Sequence, residues 1–73
     1  MWYHGTINNI KWSAKVYDEP SEFGINSGRI SKLWIAIDGV AICNYDRGWD
    51  LKPSSRDAKR AYKAVVDAIK KAV

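Results

Sequence analysis

Apolar and polar side chains alternate with a period of two from Trp2 to Tyr17 and again from Ile30 to Tyr45, the spacing of strands rather than helices. In the first stretch the alternation breaks at Asn8-Asn9, a pair that tolerates the positive φ angles of a two-residue hairpin turn. Such a turn opposes Ile7 with Ile10, Gly5 with Trp12 and Tyr3 with Ala14. One face then carries Tyr3, Ile7, Ile10, Trp12, Ala14 and Val16, the other His4, Thr6, Lys11, Ser13 and Lys15. The bare Gly5 leaves room for the Trp12 indole to lie over its backbone. The second stretch turns at Asp38-Gly39, among the stronger short-range hairpin signals. Simple pairing places Leu33, Ile35, Ile37, Val40 and Ile42 on one face, and Lys32, Trp34, Ala36, Ala41, Cys43 and Tyr45 on the other. Both faces of this hairpin are largely apolar.

After Trp49 the pattern becomes polar and runs into Pro53-Ser54-Ser55, where Ser54 and Asp57 resemble a capping box with aspartate in place of glutamate. From there Ala58, Ala61, Tyr62, Val65, Val66, Ala68, Ile69, Ala72 and Val73 fall on one helical stripe. Lys59, Arg60, Lys63, Asp67, Lys70 and Lys71 lie opposite. An amphipathic helix of this kind needs a sheet face to cover. The expected fold is α+β, a single domain over 1–73: a four-stranded antiparallel meander of two hairpins with one C-terminal helix packed on one face. The covered face is the one made by Trp12, Val16, Leu33, Ile35, Ile37 and Ile42.

Length and composition narrow the class. A chain of 73 residues buries only about 60% of its unfolded surface, so its stability is thin. With 47% apolar and 27% charged residues it is a folded domain and not a disordered tail. A single cysteine, Cys43, and a single histidine, His4, supply neither an internal disulfide nor a four-ligand zinc site. The longest apolar run, Leu33 to Ile37, is far below the roughly 18 residues of a membrane span, and Met1 to Thr6 lacks the pattern of an export signal. A cytoplasmic protein with no membrane partner is expected. The net charge of +4 sits in residues 56–71, where six basic side chains face Asp57 and Asp67. A one-sided basic element raises the local concentration of anionic partners, although Lys70 and Lys71 also suit the negative end of a helix dipole.

One helix covers one sheet face, so Trp34, Ala36, Ala41, Cys43 and Tyr45 are expected in the open, with Lys11, Lys15 and Lys32 around them. Apolar patches with a charged rim mark contact surfaces. The candidate occupants are a second copy of the chain, a nucleic acid stacked on Trp34 or Tyr45, and the chain's own loop 18–28. Phe23-Gly24-Ile25-Asn26-Ser27-Gly28-Arg29 holds the ingredients of an anion-binding loop but lacks a Walker lysine and the dinucleotide glycine spacing. Its plainer reading gives Gly24 and Gly28 to backbone angles and makes Phe23 the anchor on the core. In Tyr45-Asp46-Arg47-Gly48-Trp49-Asp50, Trp49 plugs the end of the sandwich and Arg47 pairs with Asp46 or Asp50; alternatively Arg29 and Arg47 converge on an anion. His4 and Cys43 carry no elbow or triad signature, so neither an enzyme nor a metal or cofactor is expected.

Through Ser21-Glu22-Phe23-Gly24-Ile25-Asn26, Gly28-Arg29-Ile30-Ser31-Lys32-Leu33 and Tyr45-Asp46-Arg47-Gly48-Trp49-Asp50, nearly the whole chain resembles a family of small uncharacterised proteins of Firmicutes and their phages. The resemblance implies a phage or prophage accessory protein in the cytoplasm of a bacterial host, and assigns no activity to any residue. The expectation is a non-enzymatic binding module, homodimeric, that takes nucleic acid or a nucleotide through Arg29, Lys32, Trp34, Arg47, Trp49, Lys59, Lys63 and Lys70. The alternative is a protein-protein inhibitor or adaptor of a host factor acting through the Trp34 face.

Overall fold

Asn8 and Asp38 both adopt positive φ, 54° and 50°, and each begins the tight turn that the sequence places there. The computed structural model describes residues 1–72, so Val73, expected at the end of the helical stripe, lies outside the described residues. The first turn joins β1 (Trp2–Ile7) to β2 (Ile10–Val16), and the second joins β3 (Ile30–Ile37) to β4 (Val40–Asp46). A short strand, β5 (Trp49–Leu51), follows, and then helix α1 (Arg56–Ala72). The sheet order is β1-β2-β3-β4-β5 with every neighbour antiparallel. The molecule is therefore α+β as expected, but the meander has five strands and not four. Arg47 takes a positive φ of 57° and the Asp46 amide donates to the Gly48 carbonyl at 2.9 Å, which turns the chain back so that Trp49 pairs with Tyr45. Three residues are too few to show a periodicity, so this strand left no pattern to read.

The β1/β2 register is the expected one, with Gly5 opposite Trp12. A Cβ at Gly5 would lie 2.6 Å from the indole ring, so only glycine accommodates Trp12 there. The β3/β4 register departs from expectation. Ile35 opposes Cys43, not Ile42, and Ile42 becomes the extra residue of a bulge. One inserted residue reverses the facing of everything beyond it. Cys43 and Tyr45, expected on the open face, turn inward and are 0% and 7% exposed, while Asn44 and Asp46 turn outward. The exchange hides two apolar side chains at the cost of two polar ones that reach water. The Tyr45 hydroxyl, carried inside, donates to the Phe23 carbonyl at 2.7 Å and is satisfied.

Helix α1 places Ala58, Ala61, Val65 and Ile69 over the face formed by Trp12, Ala14, Val16, Leu33, Ile35, Cys43 and Tyr45. Its cap is Ser55, one residue later than expected: Ser55 Oγ accepts the Ala58 amide at 3.0 Å and the Ser55 carbonyl accepts the Lys59 amide at 2.9 Å. Asp57 in the first turn and Lys70 and Lys71 in the last complement the helix dipole.

The connection from β2 to β3 includes a single 3-10 turn, Ile25–Ser27, and Ile25 joins the core. Ile25, and not Phe23, is the anchor; Phe23 is 57% exposed. Gly24 is obligatory, because a Cβ there would collide with the Gly28 carbonyl oxygen. Since Ile25 and the Phe23 carbonyl both meet the side of the sheet that α1 covers, this loop does not roof Trp34.

Candidate nucleic-acid interface

The side of the sheet away from α1 is organised in three rungs of cross-strand neighbours. The central rung runs His4, Ser13, Trp34, Asn44, Leu51. On one side of it lies Trp2, Lys15, Lys32, Asp46, and on the other Thr6, Lys11, Ala36, Ala41. Trp34 stands 39% exposed at the centre. Trp2 is exposed too and stacks on His4, with ring centroids 6.4 Å apart and planes 14° from parallel. Both indoles border one shallow depression of about 120 Å³, which Ser13, Lys32, Asn44 and Asp46 also line.

Charge on this face is unbalanced. Lys15 and Lys32 are direct cross-strand partners, an arrangement in which like charges repel. Lys32 Nζ lies 3.8 Å from Asp46 Oδ1, but Arg47 Nε claims the same oxygen at 3.5 Å, so the single carboxylate is shared between two cations. Lys15 Nζ sits 5.4 Å from the centroid of the Tyr17 ring. The Tyr17 phenol is held below its ordinary range, first by the Ser31 hydroxyl and then by the Lys15 charge.

The residues expected to bind are thereby sorted into separate places. Lys32 and Trp34 share the open face. Lys59, Lys63 and Lys70 are exposed on α1, across the thickness of the sandwich from Trp34. Trp49 lies at the sheet edge on the helix side, edge-on to Tyr45 at 4.9 Å and tilted against Tyr62 at 5.9 Å. Arg29 Nε donates to the Tyr17 carbonyl at 2.8 Å, whereas Arg47 turns to Asp46; the two guanidiniums line different cavities. Four amides of the loop from Phe23 to Gly28 donate within the β2–β3 connection. Phe23 donates to Ser21 Oγ, Gly24 to the Ser21 carbonyl, Ser27 to that of Gly24 and Gly28 to that of Ile25.

His4 and Cys43 stand on opposite sides of the sheet, and burial pushes the Cys43 thiol up to about 11. Among the described residues no three potential ligating side chains converge, and no helix is long and apolar enough to cross a membrane. Two features of the face escaped the sequence reading. Trp2 was within reach, since the alternation that includes His4 and Thr6 extends back to it. Lys15 and Lys32 were expected around this face, but their direct cross-strand pairing was out of reach, because it depends on how β2 meets β3 across a loop without a fixed length rule.

Fold and face together define a small α+β domain with one sheet side sealed by a helix and the other open, aromatic and basic. The chain belongs to the family described as Domain of unknown function (DUF7678), whose model matches residues 1–70. No curated protein and no solved structure matches it.

Proposed function

We propose that this domain is a non-enzymatic binding module whose open sheet face holds a single-stranded nucleic acid. Bases stack on Trp34 and Trp2, and phosphates lie along Lys11, Lys15 and Lys32. The observation that carries this reading is a pair of cross-strand lysines, Lys15 and Lys32, on the same open face as the exposed indoles of Trp2 and Trp34. Like charges on directly opposed cross-strand positions are unfavourable, and phosphates contacting each of the two lysines relieve them. Indole faces suit unpaired bases of any identity, since every base has a π face. The β4 bulge replaces Cys43 and Tyr45 on this face by Asn44 and Asp46 and leaves a wet, polar surface, with the Asp46 carboxylate already shared between Lys32 and Arg47. A module that works by occupying its partner accords with the phage or prophage accessory role that the sequence resemblance implies.

Titration of the protein with short single-stranded oligonucleotides at low salt, followed by tryptophan fluorescence, tests the reading. Quenching is expected, and Trp34→Ala should weaken binding by about 5- to 160-fold, the worth of one stacked base. Absence of binding, or binding that Trp34→Ala leaves untouched, overturns it. A dimeric solution mass that Trp34→Ala halves assigns the face to a second copy of the chain instead.

A further inference from the structure

A second cavity, of about 310 Å³, opens on the other side of the molecule where α1 meets the loop before β3. Its walls are aliphatic, formed by Val16, Ile30, Val66 and Ile69, with Tyr62 at one side and Arg29 and Lys70 also lining it. We propose that this cavity is a binding site for a medium-chain aliphatic carboxylate, with the hydrocarbon chain against the aliphatic walls and the carboxylate on Arg29 and Lys70.

The cation geometry supports an anion. Arg29 is fixed through Nε to the Tyr17 carbonyl at 2.8 Å, which leaves the terminal nitrogens of its guanidinium to form a fork. Neither Arg29 nor Lys70 forms an ion pair among the described residues. Burial holds the Tyr62 phenol above its ordinary range, so it stays neutral and does not repel a carboxylate. The walls select the rest of the ligand. Asn26 is the one uncharged amide side chain on the lining, too little to read a base edge, whereas the aliphatic side chains reward methylene groups. The volume lies at the small end of the range of about 300–1,000 Å³ for ligand pockets, which suits a chain of roughly eight carbons better than a nucleotide. The loop that forms one wall is also set unusually. Asn26 and Ser27 take successive positive φ angles of 53° and 56°, a conformation that non-glycine residues adopt at a cost and that gathers at ligand sites.

Isothermal titration with hexanoate, octanoate and decanoate, each below its micelle-forming concentration, tests the site. Affinity should rise about three- to fourfold per added methylene until the cavity is full. The methyl ester of octanoate, and the Arg29→Gln and Lys70→Gln variants with octanoate itself, should each bind about tenfold more weakly. Val66→Phe should fill the cavity and abolish binding. Because that variant alters packing, methyl NMR shifts of Val66 and Ile69 on titrating the unaltered protein with octanoate give an independent reading. No binding, affinity indifferent to chain length, or shifts centred away from these two residues overturns the site. Trp34→Ala should leave octanoate binding unchanged, so this site and the nucleic-acid face stand or fall separately.

Discussion

At the scale of single residues, what the sequence disclosed depended on whether the constraint was local. Gly5 was legible because a two-residue turn fixes its partner, and a Cβ there would lie 2.6 Å from the Trp12 ring. Gly24 was not, because the obstacle is the Gly28 carbonyl, brought close only by the folded loop. Cys43 was read on the wrong face for the same reason, and its true position has a measurable consequence. Its thiol rises from 9.0 to about 11 because burial disfavours the thiolate. Between those values the unfolded chain loses a proton that the native protein keeps. The contribution is therefore complete below pH 9 and lost as pH climbs toward 11, by up to about 2–3 kcal/mol. Tyr62, raised by burial as well, acts with the same sign at higher pH. Urea midpoints measured across this range should fall with pH, and Cys43→Ala should flatten the early part of the decline. An unchanged slope in that variant would show that the thiol ionises normally in the native state.

At the scale of elements, the strands and helix with strong patterns were legible and the irregularities that join them were not. Both hairpin turns and the helical stripe followed from residues within a few positions of one another. The bulge at Ile42 did not, because both faces of the second hairpin read as apolar and neither register was visibly worse until Tyr45 had a core to enter. The start of α1 was ambiguous between two adjacent serines, and the geometry decides it. Ser55 Oγ takes the Ala58 amide at 3.0 Å, the bond of a cap residue to the third helical position. Ser55→Ala should cost about 1 kcal/mol and lower the melting temperature by roughly 4–8 °C in a domain this small. Ser54→Ala should stay within about 0.5 kcal/mol of the parent, as surface substitutions do. Thermal melts of the two variants side by side check the assignment, and equal losses would return the cap to a shared role.

For the whole molecule the deciding quantity is thickness. The basic stripe of α1 and the lysines around Trp34 lie on opposite sides of a sandwich whose smallest Cα extent is 16 Å. The screening length is about 10 Å at 0.1 M salt and about 30 Å at 0.01 M. Near physiological salt, then, a ligand on the open sheet face is nearly blind to Lys59, Lys63 and Lys70, while in dilute buffer it feels them as a field. Replacing Lys15 and Lys32 by glutamine should reduce the slope of log affinity against log salt by about 1.4 in magnitude, roughly 0.7 for each lost phosphate contact on a single strand. Replacing Lys59, Lys63 and Lys70 together should leave that slope nearly unchanged at 0.1 M and above, yet slow association at 0.01 M, where steering by the total charge operates. Oligonucleotide titrations and stopped-flow rates over this salt range measure both effects. A slope that falls with the helix triple and ignores the sheet pair would move the strand to the helix, the side to which the charge distribution of the sequence alone pointed.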